Sequence, residues 1–216
     1  TQGQMQVRSF QVQGNTLLDA AAVQAALLPY TGARNLADLH KAAQAVQALY
    51  GQAGWAAVLV YLPPQPVADG VVTLQVVEGK LASVQVQGAQ RLTPQRVRAA
   101  LPSLIDGTTP RVRRIDAELQ IANENPGRSI AVLLGPGSAP GEVQATIKVD
   151  EQPVQRFSAS LDNSGNGRTG HYRLGLGWQH ADLTGHDDLL SLNLQTSPTE
   201  PSMVRVASAG YRWPLP

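Results

Sequence analysis

The tetrapeptide QVQG occurs at residues 11–14 and again at 85–88, and each copy opens the same succession of hydrophobic patterns. Such a repeat constrains the fold more than composition does, because each copy has to bury its own apolar face or lean on its neighbour. In the first copy Phe10 and Val12 alternate with polar residues up to Gly14, where a strand stops and turns. Two helical stretches follow. Asp19 is placed to cap LLDAAAVQAALL, which ends before Pro29 and Gly32, and Asn35 to cap the next, since a short polar side chain there accepts free first-turn N–H groups. The second stretch sets Leu36, Leu39, Ala43, Val46 and Tyr50 at three- and four-residue spacings, one apolar stripe to lay on a sheet. Gly51 and Gly54 release the chain into WAAVLVYLPPQPVADGVVTLQVVEG, two β-rich runs around a proline-rich connection that ends at Asp69 and Gly70. The expected order is strand, helix, helix, strand, strand.

The second copy repeats that order. KLASVQVQG is its strand, and Thr93-Pro94 and Thr109-Pro110 are helix starts, because threonine caps and proline misses no donor in the first helical turn. Val112, Ile115, Leu119 and Ala122 supply the stripe of the later helix, which Asn125, Pro126 and Gly127 end. SIAVLLG and EVQATIKVDE are the closing strands. In the last, Val143, Ala145, Ile147 and Val149 face one way and Gln144, Thr146 and Lys148 the other, so the sheet has one wet face.

After Gln152 and Pro153 no helical stripe returns. Four alternating runs of about ten residues follow, the weak signature of membrane barrel strands. Phe157, Ala159 and Leu161 share a face; so do Tyr172, Leu174, Leu176 and Trp178; then Leu190, Leu192 and Leu194; then Ala207, Ala209, Tyr211 and Trp213. Several aromatics stand near run ends, where membrane interfaces place them. Alternation alone leaves two readings open, a transmembrane barrel or a soluble sandwich. Four strands close no barrel, so the chain reads as part of something longer. Its 216 residues allow one or two cored domains, and only 15% are charged against 43% hydrophobic. No apolar run of about 18 residues exists for a spanning helix. The N-terminal TQGQMQVRSF lacks the pattern of an export signal, as in a mature or trimmed form.

FQVQGNTLL, LPYTG, LYGQAGW, VYLPPQPVADGVVTLQVVEGKL and ANENPGRSIAVLLGPGSAPGEV resemble the two polypeptide-transport-associated (POTRA) domains of the two-partner secretion transporters, the TpsB or haemolysin secretion/activation family. SLDNSGNGRTGHYRLGLG and ASAGYRWPL resemble the opening strands of that family's barrel. The resemblance implies an α+β chain: POTRA domains over residues 1–79 and 80–152, each β-α-α-β-β, then about four antiparallel strands of an incomplete transmembrane β-barrel over 153–216. It implies a bacterial outer-membrane location with residues 1–152 in the periplasm, a sixteen-stranded barrel in the whole protein, and a secreted partner protein as client. It also leaves the family's plug helix, remaining strands and inward loop unaccounted for.

Two candidate client surfaces follow. A β-α-α-β-β unit leaves a strand at its sheet edge, which offers unpaired N–H and C=O groups to an extended peptide, and the resemblance places the second strand there: Ala57, Val58, Leu59, Val60, Tyr61 and Leu62. Residues 80–128 hold eight Lys and Arg against four Asp and Glu, and Arg111, Arg113 and Arg114, with Arg91, Arg96 and Arg98, are placed to steer an acidic segment or touch lipid phosphates. A strand covered by its own proline-rich loop and a merely solvated helix face are the plainer readings of the two. Lipid is expected around residues 156–216.

The net charge of +1 argues against nucleic acid, and the absence of cysteine excludes disulfides and thiol chemistry. Gly165, Gly167 and Gly170 spell G-x-G-x-x-G, but a strand follows rather than a helix, so no nucleotide is expected and a hairpin turn with positive backbone angles is. His180, Asp182, His186 and Asp187 read as a polar turn rather than a metal site. No cofactor and no enzymatic activity are expected. Two other classes stay open: a barrel-assembly insertase of the BamA type, and a soluble adaptor.

Overall fold

A computed structural model describes residues 5–66 and 69–214. The first residues read for an export signal, Val67 and Ala68 of the proline-rich connection, and the final Leu of ASAGYRWPL lie outside them. Packing divides the chain into two compact units. One is built from the residues up to Gln87 with Pro94–Glu118 and Val132–Ile147, the other from Gly88–Thr93, Leu119–Ala131 and the residues from Lys148 on.

The first module runs β1 (Met5–Val7), β2 (Ser9–Gln13), α1 (Ala20–Leu27), β3 (Gly32–Arg34), α2 (Leu36–Gln52), β4 (Val58–Tyr61) and β5 (Val71–Glu78). β5 is central, with β2 parallel on one side and β4 antiparallel on the other, while β1 and β3 pair apart. The helices bury Val23, Leu27, Leu39, Val46 and Tyr50 in one core with the inward side chains of the sheet, Phe10, Val60, Val72, Leu74 and Val76. Each fully buried aliphatic side chain contributes about 1.5–3 kcal/mol relative to exposure. Asn35 caps α2 as expected, accepting from Asp38 N–H while the Asp38 carboxylate accepts from Asn35 N–H. Three local expectations are corrected. Asp19 occupies the N-cap of α1 but makes no side-chain cap bond. Leu36 is half exposed in the first turn, and the buried stripe begins at Leu39 and takes in Ala42. Gly51 remains helical, so Gly54, at φ 82°, alone turns the chain out of α2.

The second module runs β6 (Lys80–Gln87), α3 (Pro94–Ala99), α4 (Val112–Ala122), β7 (Arg128–Pro136) and β8 (Glu142–Glu151), with sheet order β6-β8-β7 matching β2-β5-β4. The inward residues of β8, Val143, Ala145, Ile147 and Val149, are buried as their alternation predicts. α3 starts at Pro94, but α4 starts at Val112 rather than Pro110. Arg111 is taken by a backbone bridge to Trp55, the Pro110 carbonyl accepts from Ala56 N–H, and Val112 N–H donates to the Gly54 carbonyl. Val112 is accordingly exposed, and the buried part of the stripe is Ile115 and Ala122.

The repeat carries a device that neither copy announces locally. A Cβ on Gly14 would collide with the Val76 carbonyl oxygen, and one on Gly88 with that of Val149, and both glycines have positive φ, 83° and 82°. Two residues beyond each carbonyl stands a glutamate. Glu78 accepts from Thr16 N–H (2.8 Å), Leu17 N–H (3.0 Å) and the Thr16 hydroxyl, and Glu151 from the N–H groups of Gln90, Arg91 and Leu92 at 2.9 Å or slightly more. Each carboxylate thus satisfies donors of the turn after the first strand that no ladder can reach.

In the second unit β9 (Gln155–Asp162), β10 (Arg173–Ala181), β11 (Leu189–Thr196) and β12 (Arg205–Arg212) form an antiparallel meander. The register aligns Phe157, Trp178, Leu192 and Ala209 across one face, with Ala159, Leu176, Leu194 and Ala207 beside them. Strands of eight or nine residues span about 26–30 Å at ~3.3 Å per residue, enough for the apolar band of a tilted barrel wall. Among the described residues no helix is long and apolar enough to cross a membrane, which says nothing of crossing strands.

Candidate functional site

β4 is an outer strand. Among the described residues its only strand partner is β5, with Val58 opposite Glu78 and Tyr61 opposite Gln75. Val60 N–H does not enter that ladder; it donates to the Gln47 side-chain oxygen of α2 at 3.1 Å. Because lateral direction alternates along an antiparallel strand, Val58 shares this outward side while Leu59 and Tyr61 bond to β5. The side chains of Leu59 and Tyr61 are 54% and 41% exposed. Of the other two residues of the expected run, Ala57 has φ 58° and its carbonyl accepts from Gly79 N–H, while Leu62 follows the strand. The proline-rich connection covers a different edge: the Gln65 amide accepts from Thr73 N–H (2.8 Å) and donates to the Thr73 carbonyl (2.6 Å), satisfying β5 beyond the end of β4.

The three arginines at the start of α4 do not act alike. The Arg111 guanidinium lies 4.4 Å from the Trp55 ring centre, a cation–π contact. Arg113 is exposed but donates to the Gln52 carbonyl (3.2 Å) of the first module. Arg111 and Arg114 line a cleft between the two modules within the first unit, whose wall also includes Trp55, Glu78 and Lys80. Burial alone would raise the Glu78 carboxyl, but the bonds from Thr16, Tyr50 and Leu17 together outweigh it and hold the group below the ordinary glutamate range. Burial, with the Glu78 hydrogen bond second, pushes the Tyr50 phenol far up. Of the remaining arginines, Arg98 pairs with Asp106 at 2.9 Å and Arg91 donates to the Gly127 carbonyl at 3.1 Å.

Much of the greasy face of the strand sheet is exposed. Phe157, Leu161, Leu176, Leu194 and Tyr211 are all exposed, Phe157 to 74%, and Tyr172 and Leu176 are not enclosed by helices. The opposite face carries Ser158, Ser160, Gln179, Ser191, Asn193 and Gln195. The turn between β10 and β11 is a structural knot. Asp187 pairs with the buried Arg128 at 2.8 Å, its N–H donates to Asp182, and Arg212 reaches the Glu124 carboxylate at 3.1 Å. His186 stacks on Trp213. Among the described residues no group of three or more His, Cys, Asp or Glu is arranged to hold a metal. In the G-x-G-x-x-G segment only Gly170 has positive φ, 81°; Gly165 is there because a Cβ would meet the Gly170 carbonyl oxygen. The turn reading therefore needs positive angles at one glycine rather than three.

Tandem β-α-α-β-β modules with an outer strand, followed by an antiparallel meander with one apolar face, have the architecture of POTRA modules joined to the opening strands of a β-barrel protein. Two family models match the chain: the ShlB-type POTRA domain over residues 5–79, and the haemolysin secretion/activation protein ShlB/FhaC/HecB over 141–216. Over those two segments the chain is similar to the two-partner secretion transporters, the first segment as a POTRA domain and the second within the haemolysin secretion/activation protein itself. It is 29% identical over 167 residues to the heme/hemopexin transporter protein HuxB of Haemophilus influenzae, covering 76% of this chain and 29% of HuxB. It is 25% identical over 171 residues to the outer membrane transporter CdiB of Dickeya dadantii, covering 78% of this chain and 30% of CdiB. The chain thus spans about three tenths of these relatives. The solved structure of CdiB from Escherichia coli superposes with a TM-score of 0.80 over 98% of this chain and 40% of that one, at 22% identity, a likeness of fold.

Proposed function

We propose that this chain is the client-receiving region of a two-partner secretion transporter: its POTRA modules accept an extended segment of a secreted partner protein, and β9–β12 form part of the barrel wall through which the partner leaves. The partner adds a strand along β4, the Val58–Tyr61 core of the Ala57–Leu62 run. The observation that carries this reading is the outer side of β4, where Val60 N–H is held only by a side chain and the apolar Leu59 and Tyr61 flank it in the open. Strand addition reads the backbone, so one surface can take many sequences. Arg111 and Arg114 supply a cationic field that shortens the search, while Arg113 holds the module junction. Acyl chains cover the Phe157, Leu176 and Leu194 face. The match of residues 141–216 to the haemolysin secretion/activation protein favours this reading over the insertase alternative, and a soluble adaptor would leave that face in water at a high cost.

The test is titration of the chain in detergent with the N-terminal secretion domain of a cognate partner, followed by amide exchange. Protection is expected to rise across 57–62. Gln47→Ala, which removes the competitor for Val60 N–H, is expected to tighten binding about threefold, the worth of one modest hydrogen bond. Unchanged protection across 56–79 and 129–150 rejects strand addition.

A further inference from the structure

The cleft between the modules, about 450 Å³, is a second site of different chemistry. Its apolar part is made by Leu17, Trp55 and Ile105, the last 56% exposed on the lip, and its cations are Lys80, Arg111 and Arg114. The single carboxylate on its wall, Glu78, is already committed to Thr16, Leu17 and Tyr50. Among the described residues neither the Lys80 ammonium nor the Arg114 guanidinium has a hydrogen-bonding or ion-pair partner. The walls are tied to one another by backbone: Trp55 bridges Arg111, Ala56 N–H donates to Pro110, Leu81 N–H to Thr108 and Gly107 N–H to Leu81. A Cβ on Gly79 would strike the Ala57 carbonyl and the Val143 side chain, so the junction has no slack there. A concave, preformed site with an apolar wall and surplus positive charge suits a ligand that combines a carboxylate with a greasy neighbour, and binding it orders little else.

We infer that this cleft binds an acidic, extended peptide segment, with one carboxylate set against Lys80 and Arg114 and an adjacent apolar side chain against Trp55 and Ile105. The identification of that segment with the secreted partner rests on the function proposed above; the charge and shape of the site do not. Excess cations at a site that is part apolar favour this over a bare polyanion, which would gain nothing from the Trp55 wall.

The experiment uses the full chain in detergent, with ¹⁵N-tryptophan labelling and the Trp55 indole resonance assigned by its loss in Trp55→Phe. The probes are three capped decapeptides alternating Val with Glu, Gln or Lys. The Glu peptide is expected to shift the Trp55 indole, and the paired change Lys80→Glu with Arg114→Glu, both at exposed positions, to weaken it by about tenfold, since two attractions become repulsions. The milder pair Lys80→Gln with Arg114→Gln is expected to weaken it by about threefold, which answers any doubt about folding. An unmoved indole, equal binding of the Gln or Lys peptide, or an affinity untouched by charge reversal overturns the site. Titrating the same samples with the partner's secretion domain separates the two readings. Binding that survives charge reversal with Trp55 unmoved rejects the cleft and keeps strand addition. Cleft binding of the Glu peptide without any binding of the secretion domain keeps the cleft and rejects the proposed function.

Discussion

Glu78→Ala tests the repeated carboxylate device most directly. The side chain accepts from two backbone N–H groups, the Thr16 hydroxyl and the Tyr50 phenol. A hydrogen bond to a charged acceptor contributes about 1.5–3 kcal/mol, but these do not sum. Thr16 is exposed and Leu17 half-buried, so water replaces much of what they lose, and Tyr50 retains its bond to Asn15. We therefore expect a loss of about 2–3 kcal/mol at pH 7, and about half of that for Glu78→Gln, which keeps one neutral acceptor. The assay is urea unfolding of the chain in detergent, with amide exchange read at Thr16 and Leu17. The pH dependence has a definite sign. The folded carboxyl lies below its ordinary value, so its contribution is complete above the unfolded pKa of about 4.3 and fades as pH falls through the folded value. Wild type and Glu78→Gln should converge on acidification. A change under about 0.5 kcal/mol at pH 7, or a gap that widens in acid, refutes the reasoning.

Three further outcomes are expected. Gly14→Ala and Gly88→Ala should each cost more than about 2 kcal/mol, because positive φ and a carbonyl collision act together, and circular dichroism melts of each variant check it. Asn35→Ala should cost about 1 kcal/mol through the lost cap of α2, seen as a lower urea midpoint with unchanged slope. Asp187→Asn keeps a residue that tolerates φ 62° but strips the partner from buried Arg128; a loss of about 2–4 kcal/mol and earlier proteolytic cleavage within 182–188 should follow.

Alternation and helical spacing foretold the shared faces of β8 and the four late strands and the buried stripe of α2 from Leu39 on, because those faces depend on periods that a few consecutive residues already carry. The Asn35 cap was equally visible, its partner Asp38 lying three residues away. Features with distant partners were not. Nothing near Pro110 in the chain says that Arg111 will be drawn to Trp55 and that α4 will begin later than its Thr-Pro signal. Nor does the run of arginines betray that Arg113 binds a carbonyl of the first module while Arg111 and Arg114 face a cleft. The one available clue to Glu78 and Glu151 was that each stands near the end of its copy of the repeat, shortly before a new strand or linker.

Local order along the backbone, then, was enough to declare two like modules, their helices, their turns at Gly14 and Gly88 and a tail with one greasy face. It was silent on which strand stands at the edge with its Val60 N–H turned outward, which carboxylates clamp which turns, and where two modules leave a cationic cleft. Periodicity and capping act within a few residues, whereas the partners of Val60, Glu78 and Arg111 are 13, 62 and some 56 positions away along the chain and meet only when the cores have packed.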